Sequence, residues 1–162
     1  MRKFLILIVS AVLFLSGSCN KTPTPVPEEE AHFSVYDKNM HPLENNKEFT
    51  FHTTDQSADL SIRVKNNTNR PIFIKTRLVT VSGTDGSQFE VCMGTCYPSM
   101  QLHTLYPVGQ DFKIEAGETT SAHAIHYWNH YDGDCSYEVE ILEVDDSGNK
   151  IGKSFKFKYI HN

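Results

Sequence analysis

From Ala31 onward the apolar residues of this chain recur at every second position, and that period suits strands rather than helices. Leu60, Ile62 and Val64 alternate with Ser61, Arg63 and Lys65. Phe33 and Val35 alternate with Ser34 and Tyr36, and Phe49 and Phe51 with Thr50 and His52. Ile72 and Ile74 lead a longer run that reaches Val81. Near the C-terminus Tyr137, Val139 and Ile141 alternate with Glu138 and Glu140, and Phe155, Phe157 and Tyr159 with Lys156 and Lys158. One side of each run is polar, which fits antiparallel sheets with one wet face. Turn clusters separate the runs: Asn66-Asn67-Thr68-Asn69, Gly83-Thr84-Asp85-Gly86, Glu115-Ala116-Gly117-Glu118, Asp132-Gly133-Asp134 and Asp145-Asp146-Ser147-Gly148-Asn149. No segment keeps helical spacing.

About seven to nine strands at these intervals predict an all-β fold, with a barrel as the alternative to a sandwich. The reading adopted is a single immunoglobulin-like antiparallel β-sandwich over residues 31–162. The length of 162 residues accommodates one such domain after an N-terminal address. A hydrophobic content of 39% is too high for a disordered chain and too low for a multi-span membrane protein.

The address is written in the first residues. Met1-Arg2-Lys3 is positive, Phe4 to Leu15 is apolar except for Ser10, and Ser16-Gly17-Ser18 is small. These are the three regions of a secretory signal peptide. The apolar stretch is short for ~30 Å of hydrocarbon, although an uncleaved anchor is the other reading. Cys19, directly after the small residues, resembles the lipobox of bacterial lipoproteins. The family places Leu three residues before the Cys; here that position is Ser16, and Leu15 lies one further back. The resemblance implies a diacylglycerol thioether on Cys19, cleavage before it and acylation of the new amine. Asn20 in the next position favours the outer membrane by the same analogy. Two or three fatty chains, palmitate among them, anchor a soluble domain because each buried CH₂ contributes ~0.8 kcal/mol. Residues 1–18 are therefore expected to be a lipoprotein signal peptide, and residues 19–30 a lipidated Cys with a tether. The expected location is the bacterial cell envelope, at the outer membrane.

The tether itself reads Asn20-Lys21-Thr22-Pro23-Thr24-Pro25-Val26-Pro27-Glu28-Glu29-Glu30. Alternate prolines favour polyproline II, a stiff spacer of ~3.1 Å per residue. Its acidic end keeps it in water. The net charge of −5 argues against nucleic acid as a partner. Losing Arg2 and Lys3 with the signal makes the balance more negative, so the lipid rather than charge must supply the membrane attachment.

Three cysteines remain once Cys19 is lipidated. An oxidising compartment favours pairing of close thiols. Nearness in sequence selects Cys92–Cys96, around Gly94, over the rivals Cys96–Cys135 and Cys92–Cys135. Cys135 is then a buried or turn-borne free thiol. The run Phe89-Glu90-Val91-Cys92-Met93-Gly94-Thr95-Cys96-Tyr97-Pro98, followed by Ala116-Gly117-Glu118 and the strand His123 to Tyr127, resembles an immunoglobulin-like domain of exported Bacteroidetes proteins. The resemblance covers roughly residues 60–160. It implies the fold and an exported setting, and it implies no catalytic residues. The chain departs from it in Cys135 and in the aromatic segment His126-Tyr127-Trp128-Asn129-His130-Tyr131.

That segment supplies the candidate sites. His126 and His130, with His123 and the more distant His103, are the imidazoles that a Zn²⁺, Cu²⁺ or haem-iron site would draw on. Tyr127, Trp128 and Tyr131 are candidate recognition residues for a protein or a sugar ring, with Tyr97 and Tyr106 as further members of the group. The opposing reading places the aromatics in the core and the histidines in structural hydrogen bonds. Asp132-Gly133-Asp134 and Asp145-Asp146 lack Ca²⁺-loop spacing and read as plain turns. Cys92 and Cys96 lack the two-residue spacing of redox pairs. No Gly-x-Ser-x-Gly, His-Glu-x-x-His or phosphate-cradling loop occurs, so no enzyme is expected. The function expected is a non-catalytic binding, display or envelope-assembly domain held by a lipid anchor, with another envelope protein or a glycan as partner and no cofactor. The alternative is a haem- or metal-binding lipoprotein using His123, His126 and His130.

Overall fold

A computed structural model describes residues 31–52 and 58–162; the signal, Cys19 and the tether fall outside them. The described residues form strands and no helix. In chain order these are β1 (Phe33–Asp37), β2 (Lys47–Phe51), β3 (Asp59–Asn66), β4 (Ile72–Ser82), β5 (Phe89–Met93), β6 (Thr95–Tyr97), β7 (Phe112–Ile114), β8 (Ile125–Asn129), β9 (Cys135–Val144) and β10 (Lys150–His161). They make two five-stranded sheets, ordered β1-β3-β8-β5-β6 and β2-β10-β9-β4-β7. The sheets face each other as the immunoglobulin-like sandwich that the alternation predicts.

Two details differ from the sequence reading. There are ten described strands because β6 and β7, three residues each, are too short to display a period. These short strands also close one edge of each sheet, which limits unwanted pairing there. The second difference is a parallel pair, β2 with β10, in which Phe49 lies opposite Tyr159. The chain crosses from one sheet to the other between β1 and β2. It then covers the edge of β10 that the β9–β10 hairpin leaves open.

The inward residues of both sheets meet in one core. Ile62, Val64, Phe89, Val91, Ile125 and Tyr127 come from the first sheet; Ile74, Leu78, Tyr137, Val139, Phe157 and Tyr159 come from the second. Phe89 stacks on Tyr137 with ring centroids 4.0 Å apart, and Tyr127 meets Phe157 edge-on at 5.0 Å. Such pairs contribute about 0.5–1.5 kcal/mol beyond the burial of their area. Phe89 is fully buried at this junction, so truncation to Ala costs about 3–5 kcal/mol.

Hydrogen bonds between buried polar groups join the layers. The Tyr137 hydroxyl donates to Asn129 Oδ1 at 2.8 Å, from the second sheet to the first. Asn66, fully buried at the end of β3, donates from Nδ2 to the carbonyls of Arg70, Ile114 and Glu115. It accepts from the Thr68 amide, so this asparagine organises the turn that the Asn-rich cluster predicts. Gly83 marks the tightest backbone approach. A Cβ there would lie 2.2 Å from the Asp134 carbonyl oxygen, and φ is +82°.

Candidate functional site

The two outer faces of the sandwich are chemically unlike. The outer face of the second sheet is crossed by ion pairs. Arg77 Nη2 lies 2.6 Å from Glu140 Oε2, and Lys156 Nζ 3.0 Å from Glu138 Oε1. Burial pushes the Glu140 carboxyl up, but the Ser154 hydroxyl and the Arg77 guanidinium outweigh it and hold the group below its usual range. Charges paired in this way leave a solvated, self-satisfied surface.

The outer face of the first sheet is built differently, and the strand register explains it. Pairing of β5 with β8 sets Glu90 opposite Trp128 and Cys92 opposite His126. Pairing of β3 with β8 sets Asp59 opposite Trp128 and Ser61 opposite His126. Pairing of β5 with β6 sets Cys92 opposite Cys96. Strand alternation puts all of these on the side away from the core. The result is a row Ser61–His126–Cys92–Cys96 beside a row Asp59–Trp128–Glu90.

Trp128 is 43% exposed, high for the largest apolar side chain. Its ring sits beside that of His130, centroids 5.0 Å apart and tilted by 30°. His130 Nε2 donates to Glu90 Oε2 at 3.0 Å. The other carboxylate oxygen, Oε1, lies 3.2 Å from Cys92 Sγ. Cys92 is disulfide-bonded to Cys96, as nearness in sequence predicts, with Gly94 at the hairpin tip at φ +74°. His126 Nδ1 donates to the His123 carbonyl at 3.3 Å.

The remaining sequence candidates fall elsewhere. Tyr127 is not a surface recognition residue. It is fully buried because β8 alternation turns it inward, and burial drives its phenol far above its ordinary pKa. Tyr131 is half-buried against the core, and Tyr106 is buried beneath Tyr97. Trp128 is the exposed member of the group. His123 contributes a backbone carbonyl to the site, while His103 sits at a left-handed loop position with φ 62°. His126 and His130 share the face, but His130 is engaged by Glu90. His126 instead adjoins the cysteines, a grouping that spacing alone did not reveal.

Cys135 is a buried free thiol, and desolvation raises its pKa. Asp145 caps the β9–β10 hairpin, accepting from the amides of Ser147 and Asn149, so that acidic turn is satisfied by its own backbone. A cleft of about 530 Å³ opens along Phe33, Val35, Leu43 and Phe155, and no histidine lines it. The apolar pocket beside imidazoles that haem capture calls for is therefore not formed by this cleft.

The fold and the face define a two-sheet β-sandwich domain with one charged, paired side and one aromatic side. No family model matches the chain, and no curated protein matches it. Among solved structures it is similar to the N-terminal domain of PorA, with 12% identity and a TM-score of 0.47, covering 80% of this chain and 97% of that one. It is also similar to a PapD-like domain of human CEP192, at 12% identity and a TM-score of 0.46, covering 98% and 96%. The E. coli chaperone DraB matches at 6% identity and a TM-score of 0.46, and the chain spans about half of it, 54%.

Proposed function

We propose that this chain is an exported, lipid-anchored domain that acts by binding rather than catalysis, and that the outer face of the first sheet is its working surface. The exposure of Trp128 between His130, Glu90 and Asp59 carries this reading. An indole left open to water on a fully paired strand gains nothing for folding, and aromatic side chains with polar rims are the usual anchors of recognition. The lipobox-like Cys19 and the Pro-rich run after it supply the tether and the envelope setting. A protein or glycan of the same envelope is the partner, in a display or assembly role.

A photo-crosslinking residue placed at position 128 in living cells tests this reading, with one at Lys158 as the control. Lys158 lies on the opposite outer face. The reading expects a discrete adduct from position 128 and none from 158. Equal labelling from both positions, or none from 128, overturns it.

A further inference from the structure

Glu90, Cys92, Cys96 and His126 present one ligand atom each, and these four atoms all lie within 4.8 Å of one another. We propose that, when the Cys92–Cys96 disulfide is reduced, this cluster is a binding site for Zn²⁺ or a similar thiolate-preferring divalent ion. The inference is independent of what occupies Trp128.

Several features support it. The donor set of two sulfurs, one imidazole and one carboxylate is the set that Zn²⁺ takes in tetrahedral sites. Three residues separate the two cysteines, within the two-to-four spacing common in structural zinc sites. In tetrahedral geometry at ~2.3 Å per Zn–S bond the sulfurs stand roughly 3.8 Å apart, a separation open to facing side chains of a paired hairpin. The register brings the third ligand to the same row, since His126 is the cross-strand partner of Cys92.

The surroundings are arranged as metal sites require. The hydrogen bond from His126 Nδ1 to the His123 carbonyl fixes the ring and leaves Nε2 free to coordinate. Glu90 is held by His130 through one oxygen while the other faces Cys92 Sγ at 3.2 Å. In the disulfide that sulfur has no proton to give, so the carboxylate faces it without a hydrogen bond. A thiol or a cation at the same place gives it a partner.

The chemistry balances with a thiol reductant. Cys96 is exposed and Cys92 is buried, so a reductant thiolate attacks Cys96 Sγ and the bond to Cys92 Sγ breaks. The second thiol of the reductant then releases Cys96 and leaves as a disulfide. Two electrons and two protons have passed to the pair. Binding of Zn²⁺ forms two Zn–S bonds and releases both thiol protons to water.

The test uses the purified full-length chain, oxidised or reduced with a water-soluble phosphine, which leaves as the phosphine oxide with an oxygen from water. Co²⁺ reports thiolate ligation through its near-ultraviolet charge-transfer band, and Zn²⁺ affinity follows by competition. One ion should bind per reduced chain, with the band present. Affinity should fall at least tenfold on oxidation and at least tenfold in reduced His126→Ala. Reduced Cys135→Ala should bind as the parent does. His126→Ala alters only an outer-face side chain, and circular dichroism checks that its strands persist. Equal affinity of oxidised and reduced protein overturns the proposal. So does a folded His126→Ala variant that binds like the parent.

Discussion

The Tyr127 hydroxyl donates to Thr76 Oγ1 at 2.9 Å across the interior of the sandwich. Tyr127 belongs to β8 of the first sheet and Thr76 to β4 of the second. The Thr76 hydroxyl in turn donates a hydrogen bond to the Glu140 carbonyl at 3.1 Å, so a short polar chain runs through an otherwise apolar core. A neutral buried hydrogen bond of this kind contributes about 1 kcal/mol net. Tyr127→Phe keeps the ring stacking and removes only that link. Urea unfolding should show a loss of about 1 kcal/mol, with the far-ultraviolet dichroism unchanged.

Glu140 gives the fold an acid limb. Its carboxyl titrates below the usual range in the folded protein, so ionised Glu140 stabilises the fold above its unfolded-state pKa of about 4.3. That contribution is lost as pH falls through the lower, folded-state value. Glu140→Gln should therefore flatten the stability profile in this acidic window. Arg77→Met, which strands the carboxylate, should cost about 2–3 kcal/mol at neutral pH and less at low pH. Thermal melts across the acid range read both effects.

Gly83 has no room for a side chain. With φ at +82° and the Asp134 carbonyl 2.2 Å from any Cβ, Gly83→Ala must displace the start of β9. A loss of about 3 kcal/mol is expected by denaturant titration. Gly148, also at positive φ but with nothing within 4 Å of an added Cβ, is the contrast. Gly148→Ala carries only the backbone strain, about 1 kcal/mol.

The Cys92–Cys96 ring is small, and in the chain-entropy model its closure stabilises the fold by about 2 kcal/mol. Replacing both cysteines with Ala should lower stability by roughly that amount without unfolding the sandwich, whose core lies behind the strand. Differential scanning calorimetry compares the two proteins.

The strands that were legible in the sequence are those whose inward side is continuously apolar. Leu60-Ile62-Val64, Ile72-Ile74 and Phe155-Phe157-Tyr159 each occupy the strand their period indicates. In β5 the alternation of Phe89–Met93 is blurred, because Cys92 on its outer side is itself a buried, apolar-like residue. The same pattern in β8 settles the roles of its aromatics. Ile125 and Tyr127 point inward, while His126 and Trp128 point outward. A list of aromatic residues could not make that division without fixing the strand's phase. The grouping of Glu90 and His126 around the cysteines depends on which residues of β5 and β8 face each other. Register of that kind is set by tertiary packing rather than by local spacing.

The proposed function requires a lipid at Cys19 to hold the strand-built head, and with it the Trp128 face, to a membrane. The intact mass of the protein extracted from membranes tests this most directly. The account predicts a chain beginning at Cys19 whose mass exceeds that of its residues by a diacylglycerol and a further acyl chain. A chain that keeps Met1, or one that begins elsewhere with no added lipid, contradicts it.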